Sequence, residues 1–490
     1  MPRVIPYVLL LLSLAALAEE APAPFEEPQG PLTLGAAIAA ALAHSPQLAL
    51  YPWDLRIADA RRVQAGLRPN PEASVEVENI ALNSGGSTAT TQSIGIGPEG
   101  LLGGFDRESE GGSSTFGEAE VTLSLAQTFE LGGKRAARMA AAEKDREVAT
   151  WDYEVARAET AGEVVLRFTD VLAAQARLSQ QQVLVALSEQ FEAKVRGLVD
   201  AGSVSPLEAR RASVEAERAR IQQQSLRREL EGARVRLAES WGSSQPQFAE
   251  ALGDMGATEP LADLQTLLEA RKSHPMLKRW SAELARRDAM LLLERKQRVP
   301  DLTVRLGYRG SSVDAPASRS LSLSSDGIAS SRTRGSGDDW ENSLVLEASI
   351  PLPIFHRNQG AIQEAELMVG RLSDEQRAWE KSMETALTAQ HNVATAALEK
   401  IEGLKARVLP ELEATLALTR EGYERGKFDF LRVLDAQRAV IDVRSELLDA
   451  QVDYHLSRAT MEQLTGAAIL AADASHAVGM SEAHKENAHE

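Results

Sequence analysis

One stretch limits what this chain can become. From Lys134 to Leu198 its apolar residues fall on a single stripe, Val164, Phe168, Val171, Leu172, Leu178, Val185, Leu187, Phe191 and Val195, and no proline occurs between Lys134 and Val204. That is the pattern of one very long helix. At about 1.5 Å per residue it runs roughly 95 Å. This is about three times the thickness of a bilayer core, and the stretch is charged throughout, so it cannot lie in lipid. A helix of that length has to be a coiled-coil strut or the wall of a tube.

The flanking sequence changes period. Residues 73–80 and 117–130 alternate, with Val75, Val77, Val121, Leu123 and Leu125 on one face and Ser74, Glu76, Thr122 and Ser124 on the other. A period of two marks strands. Between them, 83–116 is rich in Gly, Ser and Thr and reads as a long surface loop. The long helix covers 134–200, and a second helix follows over 206–241. After a linker at 243–260 the plan returns. A helix is followed by strands at about 301–310 and 342–354 around a second Ser/Gly-rich loop at 311–340, a long helix at 359–424 and a helix at 429–465. His44 and His274, Gly202 and Gly426, and Gly242 and Gly466 recur about 224 to 230 residues apart. The chain therefore divides into a first repeat, 32–242, and a second, 261–466.

The ends read differently. Residues 1–18 have the form of a secretory signal peptide: Arg3, an apolar run from Val8, and Ala16-Leu17-Ala18 as a cleavage site. A flexible leader, 19–31, and a disordered tail, 467–490, flank the repeats. The formal charge of −18 argues against nucleic acid as a partner. The chain has no cysteine, which excludes disulfides, thiolate metal sites and a lipidated N-terminal cysteine.

Four amphipathic strands cannot close a membrane barrel, because about eight is the smallest number that does. Three copies would supply twelve strands and a lumen, standing on a tube of helices. At this point the chain resembles the TolC-like outer-membrane factors over about residues 32–466. The resemblance lies in the duplicated plan and in two segments. One runs Leu125-Ala126-Gln127-Thr128-Phe129-Glu130-Leu131-Gly132-Gly133-Lys134-Arg135, the other from Gly426-Lys427-Phe428-Asp429 to Asp435-Ala436-Gln437. Phe-Glu-Leu-Gly-Gly-Lys-Arg is most similar to the cobalt-zinc-cadmium (CzcC-like) subgroup. The resemblance implies a mainly α fold with a β-barrel part: a homotrimeric, twelve-stranded outer-membrane barrel on an α-helical periplasmic tunnel. It further implies a passive exit duct for heavy-metal cations, with a periplasmic adaptor and an inner-membrane pump as partners.

The resemblance also places a periplasmic aperture at Asp435, Arg432 and Tyr423. Asp435 matches a family position where acidic side chains ring the axis. Arg432 stands where a second acid is expected, and could pair with Asp435 at i, i+3. Ordinary solvated helix residues would look the same. Glu76 and Glu78 are expected to face the lumen, or to be simply wet strand residues. No catalytic, cofactor-binding or metal-ligating constellation stands out. His476, His484 and His489 lie in the acidic tail, and His44 and His274 mark repeated kinks. Two other readings share the residues: a duct for organic solutes or type I secretion, and a secreted coiled-coil structural protein.

Overall fold

The computed structural model describes residues 27–78, 89–97, 100–108, 120–312, 319–324, 327–332 and 340–466. The signal peptide and the His-containing tail lie outside them. The two halves build one helical wall topped by one sheet.

The first half opens with β1 (Gly30–Leu32), α1 (Leu34–His44) and α2 (Tyr51–Ala65). The sheet strands β2 (Glu72–Glu78), β3 (Ala89–Gly97), β4 (Gly100–Glu108) and β5 (Glu120–Phe129) follow. Then come α3 (Lys134–Asp200), α4 (Pro206–Glu239) and β6 (Phe248–Ala251). The second half runs α5 (Leu264–Ala270), α6 (Pro275–Gln297), β7 (Leu302–Ser312), β8 (Arg319–Ser324), β9 (Gly327–Arg332) and β10 (Trp340–Ser349). It ends with α7 (Gln359–Gly403), a π-helical turn at Leu404–Val408, α8 (Leu409–Glu424) and α9 (Phe430–Thr465).

Three expectations need correction. The stretches expected to be loops hold hairpins, β3–β4 and β8–β9, so the sheet has eight strands in the order β4-β3-β2-β5-β7-β10-β9-β8. Glycine and serine, which read as turn formers, are tolerated at a sheet's edge, and pairing between strands is not a local signal. Next, the leader and linker are not free along their whole length: β1 and β6 pair in parallel. Leu32, Trp241 and Phe248 are fully buried there, with Trp241 edge-on to Phe248 at 6.2 Å between centroids. Finally, the second long helix is interrupted by the π turn. Pro410 lacks the N–H that an α-helix would use one turn back, so the hydrogen-bond register widens just before it.

The core lies where these pieces meet. Ala161, Val164, Phe168 and Val171 of α3 pack on Ala37, Ile38 and Ala41 of α1 and on Leu237 and Trp241. Emptying the Phe168 site would cost about 3–5 kcal/mol. A second cluster joins Leu387, Ala394 and Ile401 of α7 to Ala450, Tyr454 and Met461 of α9. Tyr454 donates its hydroxyl to the Glu259 carbonyl at 2.6 Å, holding the linker down. Small residues dominate the helix contacts, so the helices approach closely and form a thin wall. The upper wall runs in the order α2, α3, α6, α7, and the lower wall in the order α4, α3, α9, α8. Among the described residues no helix is long and apolar enough to cross a membrane.

Candidate functional site

The sheet has two unlike faces. Its four central strands, β2, β5, β7 and β10, align Val75 with Leu123, Leu123 with Tyr308 and Tyr308 with Leu344. The next row aligns Leu125, Leu306 and Leu346. These side chains point away from the protein, with exposures from 47% at Val75 to 59% at Leu344. Two contiguous apolar rows left in the open are what a lipid-facing surface requires.

The opposite face is polar. Ser74 and Ser124 hydroxyls lie 2.6 Å apart, and Arg309 donates to the Thr122 hydroxyl at 3.2 Å. Arg305 pairs with Glu347 at 3.2 Å and Arg309 with Glu120 at 3.7 Å. Glu76 and Glu78 stand on this face, registered with Thr122 and Glu120. Alternation along β7 puts Arg305 on the polar side, with Leu306 and Tyr308 on the other. Alternation likewise places Glu347 on the polar side of β10, but its pairing with Arg305, and that of Arg309 with Glu120, depends on cross-strand register. This face is mixed in sign, not purely acidic.

The segment Glu130 to Arg138 joins sheet to wall. Gly132 and Gly133 adopt φ of 68° and 76°, left-handed values that suit glycine. A Cβ on Gly132 would also meet Val299 at 2.7 Å. Lys134 pairs with Asp301 at 2.8 Å, and Asp301 accepts the Leu131 N–H at 3.1 Å. Arg138 holds both Glu130 oxygens, at 2.6 and 3.0 Å. Its guanidinium also reaches the Ala65 and Leu67 carbonyls, while Arg135 donates to the Gly66 carbonyl. Two arginines thus satisfy the carbonyls at the C-terminus of α2. The hydrogen bonds from Arg138 hold the Glu130 carboxyl below the usual carboxylate range. The motif that carries the resemblance is therefore a hydrogen-bonded and electrostatic clamp between sheet and helices.

The far tip gathers the turns Gly202 and Gly426. Tyr423 lies against Phe191 at 6.2 Å between centroids, and burial, together with nearby Glu208, pushes its phenol up from the ordinary value. The Tyr423 hydroxyl, Glu208 Oε2 and two guanidinium nitrogens of Arg420 are buried without a hydrogen-bond partner among the described residues. Asp435 is exposed on the second turn of α9. The expected pairing of Arg432 with Asp435 is not what forms. Arg432 lies 4.0 Å from Asp429 and stacks over the Phe428 ring at 5.3 Å, because Asp429 caps α9 and holds its carboxylate beside the first turn. Asp435 is thus left facing solvent, on the same helix as Arg432 but apart from it. Among the described residues no group of three His, Asp or Glu side chains is placed to hold a metal ion.

A duplicated helical wall under a sheet with one apolar and one polar face defines a tunnel-type membrane channel. The family model of the outer membrane efflux proteins matches residues 37–243 and 266–467, and the chain belongs to that family. Its place is the outer membrane. It is similar to the cobalt-zinc-cadmium resistance protein CzcC of Cupriavidus metallidurans, with 29% identity over 440 residues, 90% of this chain and 91% of that one. It is also similar to the nickel-cobalt-cadmium resistance protein NccC of Alcaligenes xylosoxydans xylosoxydans, with 22% identity over 66% of this chain and 61% of that one. Among solved structures, CusC shares the fold at a TM-score of 0.62 with 17% identity, covering 88% of this chain and 91% of that one. A membrane protein from Pseudomonas aeruginosa does so at 0.63 with 17% identity, covering 90% and 98%.

Proposed function

We propose that the protein is the passive exit duct of a tripartite efflux system for heavy-metal cations. It would work as a homotrimer docked through a periplasmic adaptor to an inner-membrane pump, and would carry out no catalytic step of its own. The observation that carries this reading is the near full-length similarity to a cobalt-zinc-cadmium resistance protein. The two-faced sheet supports it. Three copies of the four central strands make a twelve-stranded barrel with the apolar rows toward lipid and the polar face toward water. Closure requires β3 and β9 to leave the outer edges of β2 and β10, where they hold only four and three residue pairs.

The duct supplies a path, and the pump supplies the energy. Exposed Asp435 near the tip, repeated three times about the axis, would draw cations toward the aperture. Tyr423 would hold α8 against α3 beside it through Phe191. Arg432, turned toward Asp429, would leave the Asp435 charge unneutralised.

Two measurements test the reading. A deletion strain is expected to lose tolerance to zinc, cobalt and cadmium and to regain it on complementation. Unchanged metal tolerance with lost tolerance to organic compounds would assign the duct to organic solutes instead. In planar bilayers, Asp435→Ala is expected to lower cation preference or relieve block by trivalent cations. Traces identical to wild type would remove Asp435 from the aperture.

A further inference from the structure

Four connections join the sheet to the helical wall, residues 66–71, 130–133, 298–301 and 350–358, and they lie at one level, where each central strand meets its helix. Contacts between them tie that level together. Arg135 and Arg138 of α3 reach the carbonyls of Gly66 and Leu67, Asp301 accepts the Leu131 N–H, and the Asn358 amide donates to Glu294 near the end of α6. The apolar face of the sheet continues down to this level. Phe129 and Ile350 follow Leu125 and Leu346 in the alternation, and each is about half exposed. From Leu123 to Phe129 the apolar face covers about 20 Å along β5.

The apolar surface does not stop with the last strand residue. Beyond β10, Leu352, Ile354 and Phe355 stand in the open, Phe355 at 90% and Leu352 at 76% exposure. They sit on a built turn. Pro351 and Pro353 hold the chain extended, and the Ile354 N–H donates to the Leu352 carbonyl at 2.8 Å. Arg357 Nε donates to the Pro353 and Ile354 carbonyls, each at 3.3 Å, and Gln359 donates to the Phe355 carbonyl at 3.2 Å. The turn is thus fixed from within while its apolar side chains face outward. Charge completes the surface. The whole chain is acidic at −18, yet the free charge beside this turn is basic. Glu130 is held by Arg138, Asp301 by Lys134 and Glu294 by the Asn358 amide. Exposed Arg298 and Arg357 have no ion-pair partner among the described residues, and the exposed acid in the same position is Glu72, at the foot of β2. Asn358 lies 3.5 Å from Gln297, so Arg357 and Arg298 are the chain neighbours of a touching pair. A guanidinium suits phosphate because it can offer two parallel N–H bonds.

We propose that this junction binds the anionic phospholipids of the leaflet on the helical side of the membrane. Phe355, Leu352 and Ile354 enter the acyl region, and Arg298 and Arg357 hold headgroup phosphates at its surface. Long cationic side chains beside an apolar edge reach the headgroups while the edge stays in hydrocarbon. The contact sets how deep the barrel sits and favours phosphatidylglycerol-type headgroups over zwitterionic ones. It rests on the outer-membrane placement and the lipid-facing rows, and adds which lipid the channel selects.

The chain has no cysteine, so one introduced thiol can carry a fluorescent label. Full-length protein labelled at Leu352→Cys is reconstituted in phosphatidylcholine vesicles that contain brominated phosphatidylcholine or brominated phosphatidylglycerol. Both brominated lipids are expected to quench the label, phosphatidylglycerol at the lower mole fraction. Each arginine is expected to contribute roughly fivefold to that preference. Added to the labelled protein, Arg298→Gln, which removes no hydrogen bond among the described residues, and Arg357→Gln are each expected to lose one such factor. A label at Leu344→Cys, in the apolar row, is the reference and is expected to be quenched by either lipid. Quenching at Leu344→Cys without quenching at Leu352→Cys would put the junction outside the bilayer and overturn the proposal, leaving the lipid-facing rows standing. Quenching at neither position would overturn both. Equal quenching of Leu352→Cys by the two lipids would overturn the anionic selectivity, and a preference untouched by either arginine variant would overturn the arginines as the phosphate sites. Exchanging chloride for inorganic phosphate at equal ionic strength is expected to leave the preference unchanged. A loss specific to inorganic phosphate would mean a site for the free anion and overturn the lipid assignment.

Discussion

The two halves of the molecule follow one plan with different stiffness. In the first, a clamp of Glu130, Lys134, Arg135 and Arg138 launches α3, which runs unbroken from Lys134 to Asp200. In the second, β10 reaches α7 through Pro351 and Pro353 and a single left-handed residue, Asn358 at φ 56°. Asn358 is held by its amide, which donates to the Glu294 carboxylate at 2.6 Å and to the Glu294 carbonyl at 3.0 Å. The helix that follows is interrupted by a π turn before it reaches Tyr423. The halves also differ at their matched histidines. His44 is exposed, whereas His274 is buried against Trp379 at 5.9 Å between centroids. One repeat provides a rigid stave. The other keeps a joint between the sheet and the tip, and that joint is on the helix that carries Tyr423.

The largest way to break this comparison is at the launching turns. Gly132→Val puts a branched side chain at a left-handed φ and against Val299. Strain of about 1–2 kcal/mol or more, plus the clash, is expected to abolish assembled protein in the outer membrane. Asn358→Gly relieves a left-handed residue but loses the Glu294 bonds, and is expected to leave assembly near wild type. Equal yields of the two variants would mean that the launching turns are equivalent after all.

A middle effect concerns acid. Burial lowers the His274 pKa, and its ring accepts the Met276 N–H to cap α6. A histidine with a depressed folded pKa contributes stability that is present above its unfolded value, about 6.5, and is lost as pH falls toward the folded one. His274→Asn keeps a capping acceptor and cannot take up that proton. Its melting temperature is therefore expected to fall less than that of wild type between pH 7.5 and pH 5. A His274→Asn slope equal to wild type would place the acid sensitivity elsewhere.

The smallest effect is expected at Pro410. Pro410→Ala returns a backbone donor and lets the π turn relax toward α. Hydrogen exchange over residues 402–412 is expected to slow, with stability changing by no more than about 1 kcal/mol. Unchanged exchange would show that packing against α9, not the missing N–H, maintains the π turn.

Much of this was legible in the sequence. The unbroken stripe of α3, the return of the same pattern in the second half and the alternation of the four central strands are local and periodic. Such signals survive without any partner, because each residue's direction follows from the helix or strand repeat alone. The resemblance to the family rests on the duplicated plan and on two short segments, which are equally local. Residues with no such signal were not legible. Ser/Gly-rich strands 89–97 and 327–332 look like loops, and β1 and β6 are short pieces far apart in the chain.

Tertiary structure decided who meets whom. Cross-strand register set Arg309 beside Glu120, and capping turned Arg432 toward Asp429 and away from Asp435. Those outcomes depend on distances between segments separated by tens to hundreds of residues. Periodicity orients a side chain about its own helix or strand and carries no information on what stands opposite.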